Sequence, residues 1–308
     1  MDIVFMGTPE FAVPCLERLI ADKHNVKGVF TQPDKPKGRG HKMQFPPVKQ
    51  CAVNAGIPVF QPEKMRDGEA LSIIERLNPE LIIVVAYGKI LPAEILNFPR
   101  FGCINMHASV LPAYRGAAPI QWCVLNGEKE SGVTAMQMDI GLDTGDMLLT
   151  KTVEIGPDDT SGDLHDKLSV LGAQVMSETI DKLISGDLNP VKQDDSLSNY
   201  APMLTKELCP VNWNDDAIKV HNKVRGLSPW PVATAKWTDK NIKIHKTSVA
   251  SEAAGVPGEV IASDKNLLVC CGNGTCIEIL TLQLEGKKAM SAADFLRGNP
   301  IPVGTILS

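Results

Sequence analysis

The sequence predicts a doubly wound α/β domain with a mostly parallel sheet, followed by a smaller β-rich domain. Three observations lead there. In the first half, strand-like and helix-like segments alternate, the order that builds parallel sheets covered by helices. Leu81-Ile-Ile-Val-Val85 is apolar without a polar alternate, as in a strand buried on both faces. Beyond Asn199 the pattern changes to short β-like runs parted by turn-formers, the mark of a small barrel or sandwich.

The elements follow in order. Asp2–Met6 reads as a strand. Phe11–Ile20 reads as a helix, with Phe11, Cys15, Leu16, Leu19 and Ile20 near one face. Val26–Thr31 is the next strand, and a Pro- and Lys-rich loop runs from Gln32 to Pro47. Val48–Ala55 and Ala70–Leu77 read as helices, and Leu81–Val85 and the run from Phe101 as strands. Pro119 stands near the first position of a helix that reaches Asn126, where its missing N–H costs nothing. Val133–Met138 is strand-like. Ser161–Ile184 is the clearest helix: Leu164, Leu168, Leu171, Val175 and Leu183 recur at helical spacing, Thr160 or Ser161 caps it and Gly186 ends it. Asp187–Asn199 is polar and reads as a linker. A helix over Asp215–Arg225 precedes β-like runs at Ala233–Trp237, Ile242–His245, Gly258–Ile261, Leu267–Cys271 and Cys276–Leu282. The expected domains are 1–187 and 208–308, with 188–207 as the connection.

The chain has 308 residues, enough for one large domain or two smaller ones. Its formal net charge of −5 argues against indiscriminate nucleic-acid binding and leaves room for a local basic surface. Eight cysteines without a CxxC pair point to reduced thiols in a cytoplasmic protein and give no zinc pattern. No apolar run approaches the roughly 20 residues that span a bilayer. The immediate strand at Asp2 leaves no room for a signal or transit peptide, so no membrane association is expected.

Asn105-Met-His107 carries the strongest chemical signal. Residues two apart on a strand share a face. Asn105 offers a fixed amide donor and acceptor, and His107 exchanges a proton near neutral pH. At the end of an α/β sheet, that pair suits attack of a nucleophile on a carbonyl, where an oxyanion is held and a proton moved. Alternatively, both are polar groups that cap neighbouring backbone. Ser109-Val-Leu-Pro112 follows, with backbone groups able to bond a flat heterocycle and apolar side chains to wall a pocket. Gly141-Leu-Asp-Thr-Gly-Asp146 is a tight loop, either a plain Asx turn or the carrier of Asp143 as a third group that orients or polarises His107. Met6-Gly7-Thr-Pro-Glu-Phe11 stands where a dinucleotide fingerprint would, but its single glycine does not make one. Asp34-Lys-Pro-Lys-Gly-Arg-Gly-His-Lys42 is either a solvated loop or a segment whose Lys35, Lys37, Arg39 and Lys42 neutralise phosphate. Lys206 begins a second lysine-rich stretch that runs to Lys246 and could form a basic track.

Together, Asn105-Met-His107, Ser109–Pro112, Arg115-Gly-Ala-Ala-Pro-Ile120 and Gly141–Asp146 resemble the folate-dependent formyltransferases. Thr31-Gln-Pro-Asp34, Gly38-Arg-Gly40, Val85-Ala-Tyr-Gly88, Ile90-Leu-Pro92 and Lys287-Lys-Ala-Met-Ser-Ala292 resemble the methionyl-tRNA branch of that family. The resemblance runs from about Ile3 to the C-terminus. It implies transfer of a formyl group from 10-formyltetrahydrofolate to the α-amino group of methionine on charged initiator tRNA, without a metal. It also implies a formyltransferase fold with a C-terminal oligonucleotide-binding-like β-barrel, working as a monomer in a bacterial cytoplasm. The family's catalytic trio falls on Asn105, His107 and Asp143: the first two hold the oxyanion, and His107 with Asp143 relays the proton. Its folate pocket falls on Tyr87, Gly88, Ile90 and Leu91, on Ser109, Val110, Leu111 and Pro112, and on Asp139, Ile140, Gly141 and Leu142. Its tRNA-contacting loop falls on Gln32–Val48, with Arg39 the best match. The alternatives are a formyltransferase for a small amine, such as an aminosugar nucleotide or glycinamide ribonucleotide, a folate- or RNA-binding module without catalysis, and a nicotinamide oxidoreductase.

Overall fold

The structure, a computed structural model, describes residues 1–37, 42–251 and 254–308. The chain forms two compact units. The first comprises Met1–Gly116, Ser131–Val153 and His165–Tyr200, and the second Ala117–Glu130, Glu154–Leu164 and Ala201–Ser308.

In chain order the first part runs β1 (Asp2–Gly7), α1 (Val13–Ala21), β2 (Asn25–Phe30), β3 (Lys35–Lys37), β4 (Lys42–Gln44), α2 (Pro47–Asn54), β5 (Val59–Phe60), α3 (Glu69–Leu77), β6 (Leu81–Val85), α4 (Ala93–Leu96), β7 (Cys103–His107) and β8 (Arg115–Gly116). Then follow α5 (Pro119–Leu125), β9 (Glu130–Gln137), β10 (Met147–Glu154), α6 (Ser161–Ser185) and β11 (Tyr200–Ala201). The main sheet has the order β10-β9-β7-β6-β1-β2-β5. β5, β2, β1, β6 and β7 are parallel, and β9 is antiparallel to β7, so the sheet is mixed. The chain leaves β1 toward β5 and returns on the other side through β6. The crevice between the C-terminal ends of β1 and β6 is therefore a topological switch point, where open α/β sheets bind ligands. β6 is buried along its whole length, as its unbroken apolar run requires.

The six expected helices lie close to their spans, with small shifts at their ends, whereas the short helices Ala93–Leu96 and Ala292–Gly298 were not expected. α1 starts at Val13 because Glu10–Ala12 forms a 3-10 turn first. More was missed among strands. β10 is partly exposed and lacks a clean alternation, so its sequence gave no signal. β3 and β4 pair as a hairpin inside the segment expected to be a loop. The predicted linker is built into the first unit in part: Val191 bridges Met147, and Gln193 is buried.

The second unit continues with α7 (Ala217–Gly226), β12 (Ala233–Trp237), β13 (Lys240–Ala250), β14 (Val260–Ser263), β15 (Leu267–Cys270), β16 (Cys276–Leu284), β17 (Met290–Ser291) and α8 (Ala292–Gly298). Its sheet has the order β12-β13-β16-β15-β14, with β17 also on β16. β13 was expected to stop at His245. It runs on to Ala250 because register shifts around Lys246 bring Thr247, a polar residue, to the buried side. There the Thr247 hydroxyl meets His221 Nδ1 at 3.0 Å. Val220, Val224, Ile242, Ile244, Ile277, Ile279, Leu282 and Phe295 share this unit's core.

Candidate active site

Asn105 and His107 close β7. Asn105 stands opposite Val84 of β6 on one side and Met136 of β9 on the other, and His107 stands opposite Thr134. Being two apart on a strand, they share a face, one strand beyond the switch point. No hydrogen bond to a described residue engages the Asn105 carboxamide. His107 is only 6% exposed. Its Nε2 lies 2.9 Å from the Tyr114 carbonyl oxygen. A carbonyl only accepts, so Nε2 carries the hydrogen and Nδ1 of the neutral ring is the open acceptor. Nδ1 is 3.7 Å from Asp143 Oδ2, beyond hydrogen-bond length but within ion-pair reach. The contact that orients the ring is thus the Tyr114 carbonyl, while Asp143 faces the nitrogen left to exchange a proton.

Asp143 is held from several directions. Its Oδ2 accepts from the Gly116 N–H at 2.9 Å. Gln193 Nε2 donates to the carbonyls of Asp143 and Gly145 at 2.8 and 2.7 Å. Asp139 Oδ1 accepts from Gly141 N–H and Thr144 Oγ1, which closes the loop's own turn. Asp143 has φ 54°, and Tyr114 and Ala86, in the neighbouring segments, have φ 60° and 47°. Non-glycine residues in this region are costly and cluster where function fixes the backbone.

The three segments expected to bind folate divide in a specific way. In 109–112, the Ser109 hydroxyl donates to the Ala113 carbonyl at 2.6 Å, and Thr134 Oγ1 donates to the Ser109 carbonyl at 2.8 Å. Thr134 Oγ1 also accepts from the Leu111 N–H, so β9 pins both ends of the turn, while Val110 is half-buried. In 86–91, the Tyr87 carbonyl accepts from Thr8 Oγ1 and Gln32 Nε2, which ties the switch-point loops together. The Tyr87 and Leu91 side chains are core residues, and burial pushes the Tyr87 phenol up from its ordinary range. Gly88 adopts φ 78°, which a side chain would resist. Ile90, Ile140 and Leu142 instead face outward at 73%, 85% and 57% exposure.

Of the basic candidates, Lys35 is exposed on β3, Lys37 and Lys42 lie in the hairpin strands, and Arg39 lies outside the described residues. Lys206 opens a short turn in the second unit. There burial raises the Cys209 thiol, while the charges of Lys223, Lys243 and Lys206 oppose the rise and that of Glu207 adds to it. Tyr114, Gly116, Thr134 and Gln193 were missed as site residues. Gly116 sits inside a motif already singled out and Tyr114 directly precedes it, but Gln193 lies in a polar stretch with no signal. No group of three or more His, Cys, Asp or Glu among the described residues could hold a metal ion, and no helix there is long and apolar enough to cross a membrane.

A doubly wound domain with an amide, an imidazole and a carboxylate at the carboxyl edge of its sheet, joined in sequence to a β-rich domain, defines a two-domain α/β group transferase. Residues 1–180 match the family described as "Formyl transferase", and residues 203–300 match "Formyl transferase, C-terminal domain". The chain belongs to the formyl transferase family, and within it to the methionyl-tRNA formyltransferases. It is 52% identical to the methionyl-tRNA formyltransferase of Trichlorobacter lovleyi over 99% of this chain and 96% of that protein. It is 53% identical to that of Geobacter metallireducens, over 97% of this chain and 96% of the relative. Among solved structures, the N-formyltransferase of Helicobacter canadensis with folinic acid and dTDP-3-aminofucose matches with a TM-score of 0.69 at 22% identity, covering 90% of this chain and 98% of that one. HypX of Aquifex aeolicus matches with a TM-score of 0.66 at 19% identity, over 96% of this chain and 48% of that one. At these identities the structures speak for the fold alone.

Proposed function

We propose that this chain transfers the formyl group of 10-formyltetrahydrofolate to the α-amino group of methionyl initiator tRNA. The observation that carries the chemistry is the open Nδ1 of His107, facing Asp143 while Nε2 is anchored on the Tyr114 carbonyl. The donor supplies a formyl carbon already bound to a leaving nitrogen. Ile90, Ile140 and Leu142 offer exposed apolar surface to such a donor, and the unengaged Asn105 carboxamide stands near the end of β7.

In the step itself, the neutral amine of methionine forms the new C–N bond. Asn105 donates to the carbonyl oxygen as it gains charge, a stabilisation worth most where water is excluded. His107 Nδ1 takes the amine proton, and the Asp143 carboxylate steadies the imidazolium so formed. The protonated Nδ1 then donates in turn, first toward the oxyanion and then toward the leaving nitrogen as its bond to the formyl carbon breaks. Tyr87, Gly88, Ile90, Leu91, Val110, Leu111, Pro112 and the 139–142 segment shape the donor's pocket, several of them through backbone position. In the second unit, β16 pairs first with β15 and then with β17 along one edge, which suits the bent sheet of an oligonucleotide-binding barrel. Lys206 and the lysine-rich stretch that runs to Lys246 are the candidates for the positive charge that phosphate requires. Residues 1–187 and 208–308 then act as the catalytic and tRNA-binding domains, in a monomer of the bacterial cytoplasm.

The test is transfer of labelled formyl from 10-formyltetrahydrofolate, comparing charged initiator tRNA with an aminosugar nucleotide and glycinamide ribonucleotide. Preferred labelling of the tRNA is the expected result. Preferred labelling of either small amine would overturn the acceptor and leave the carbonyl chemistry standing.

A further inference from the structure

We infer that Gln193 is a positioning residue for formyl transfer, holding the Asp143 loop in register with His107. The inference rests on the roles proposed above for His107 and Asp143. Gln193 lies between α6 and β11, about fifty residues beyond the loop it touches, and only 6% of it is exposed. All of its hydrogen-bonding directions converge on the site. Its Nε2 donates to the carbonyls of Asp143 and Gly145, on either side of Thr144. Its Oε1 accepts from Arg115 Nε at 3.0 Å and Nη2 at 2.8 Å, and Arg115 Nη2 also donates to Asp195 at 2.7 Å.

These bonds close a ring. Arg115 precedes Gly116, whose N–H holds the Asp143 carboxylate, and follows Tyr114, whose carbonyl holds His107. Asn199 secures the same tripeptide: its Oδ1 accepts from Tyr114 N–H and its carbonyl from Arg115 N–H. One arc therefore sets the imidazole and the other the carboxylate, and Gln193 is the side chain that links them. Asp143 has φ 54°, so its loop needs outside restraint to stay where it is. Without the two Nε2 donors, two loop carbonyls lose partners and the 3.7 Å separation of His107 Nδ1 from Asp143 Oδ2 is no longer fixed. Gln193 touches neither substrate in this scheme. It acts through Asp143.

Gln193→Leu keeps much of the volume and removes both donors and the acceptor. Gln193→Glu keeps the acceptor toward Arg115 and sets a carboxylate against two carbonyls. For each, kcat is expected to fall about 10- to 100-fold, the scale of a sub-ångström to ångström displacement of a catalytic group. KM for the folate donor and for methionyl-tRNA should stay within about threefold, the signature of a loss felt in the transition state. The deciding measurement is a double-mutant cycle with Asp143→Ala. In that background Gln193→Leu should cost nothing further in kcat, because the group it positions is gone. An equal additional loss there would make its role merely structural and overturn the inference, as would an unchanged kcat in both single variants. Should Gln193→Leu fail to fold, Gln193→Glu runs through the same cycle and is read the same way. Asp143→Ala alone keeps the two readings apart. If it transfers formyl at the native rate, the roles proposed above fail, whatever Gln193 does.

Discussion

Gly145→Ala is a small change with a large expected effect. A Cβ at this position would lie 1.7 Å from the Gln137 carbonyl oxygen and 2.9 Å from its carbon. Both are backbone atoms of β9, so no side chain can swing away. Ordinary non-bonded contacts lie near 3.5 Å, so the loop and the strand must part by roughly 1.8 Å. That movement breaks the bond from Gln137 N–H to the Asp146 carbonyl, now 2.9 Å, and stretches the one from Gln193 to the Gly145 carbonyl. Asp143 is two residues away on the same short loop and moves with it. A displacement of about 1 Å in a catalytic group costs on the order of 100-fold in rate. Overpacking of this kind also costs about 1–3 kcal/mol of stability. The assay is single-turnover formyl transfer to methionyl-tRNA, with thermal unfolding measured on the same preparation. The expected result is a kcat reduced about 100-fold in a protein that still folds and still binds tRNA. A variant that keeps its rate within about threefold would refute the reasoning, because the Asp143 loop could then not be rate-determining in its position.

Three further outcomes are expected. Asn105→Ala should lower single-turnover transfer about 100- to 1000-fold, as loss of one oxyanion donor does, with folate binding mostly kept; near-native transfer would remove Asn105 from the mechanism. Arg39→Ala should raise the tRNA concentration needed for half-maximal rate and lower the salt slope of tRNA binding by about one, as one phosphate contact is lost, with folate binding unchanged. His221 gives a pH dependence of stability. Burial leads the lowering of its pKa from 6.5, with Arg225 adding to it and the Pro157 carbonyl and Asp158 opposing it. The unfolded chain therefore binds that proton more readily, so the stabilising neutral ring contributes in full above pH 6.5 and its contribution is lost as pH falls below that value. Between pH 7.5 and 5.5 the Tm of the native chain should drop more steeply than that of His221→Gln, as read by calorimetry; parallel curves would count against it.

The parts of the fold that could be read from sequence are those where one physical requirement acts on consecutive residues. β6 had to be apolar throughout because it is covered on both faces, and its five residues say so. A helix was read over Asp215–Arg225, and α7 forms there, with the Asp216 side chain accepting from the Lys219 N–H at 2.8 Å as its cap. β10 escaped notice because it is partly exposed, so few of its positions are constrained to be apolar. β13 was read as too short because its inward position at 247 is taken by threonine, whose hydroxyl meets His221, 26 residues away. A pattern read along the chain cannot anticipate a partner supplied from elsewhere.

The same limit explains what was legible at the site. Asn105 and His107 could be paired because a strand fixes the relation between residues two apart. Asp143 could be added only because its glycine-flanked loop stood out. Nothing local said which nitrogen of His107 would remain open. That is decided by the Tyr114 carbonyl, and the direction of this carbonyl is decided by a backbone at φ 60° held on Asn199. Nor could a polar stretch between α6 and β11 announce that one glutamine in it bonds both carbonyls around Asp143. The reacting groups come from strand ends and a tight loop, whereas their relative placement comes from backbone carbonyls and amides that every residue carries. Chemistry is therefore written in residue types and can be read one motif at a time. Positioning is written in long-range hydrogen bonds, so a substitution such as Gln193→Leu, far along the chain from Asn105 and His107, should reach the rate without touching a substrate.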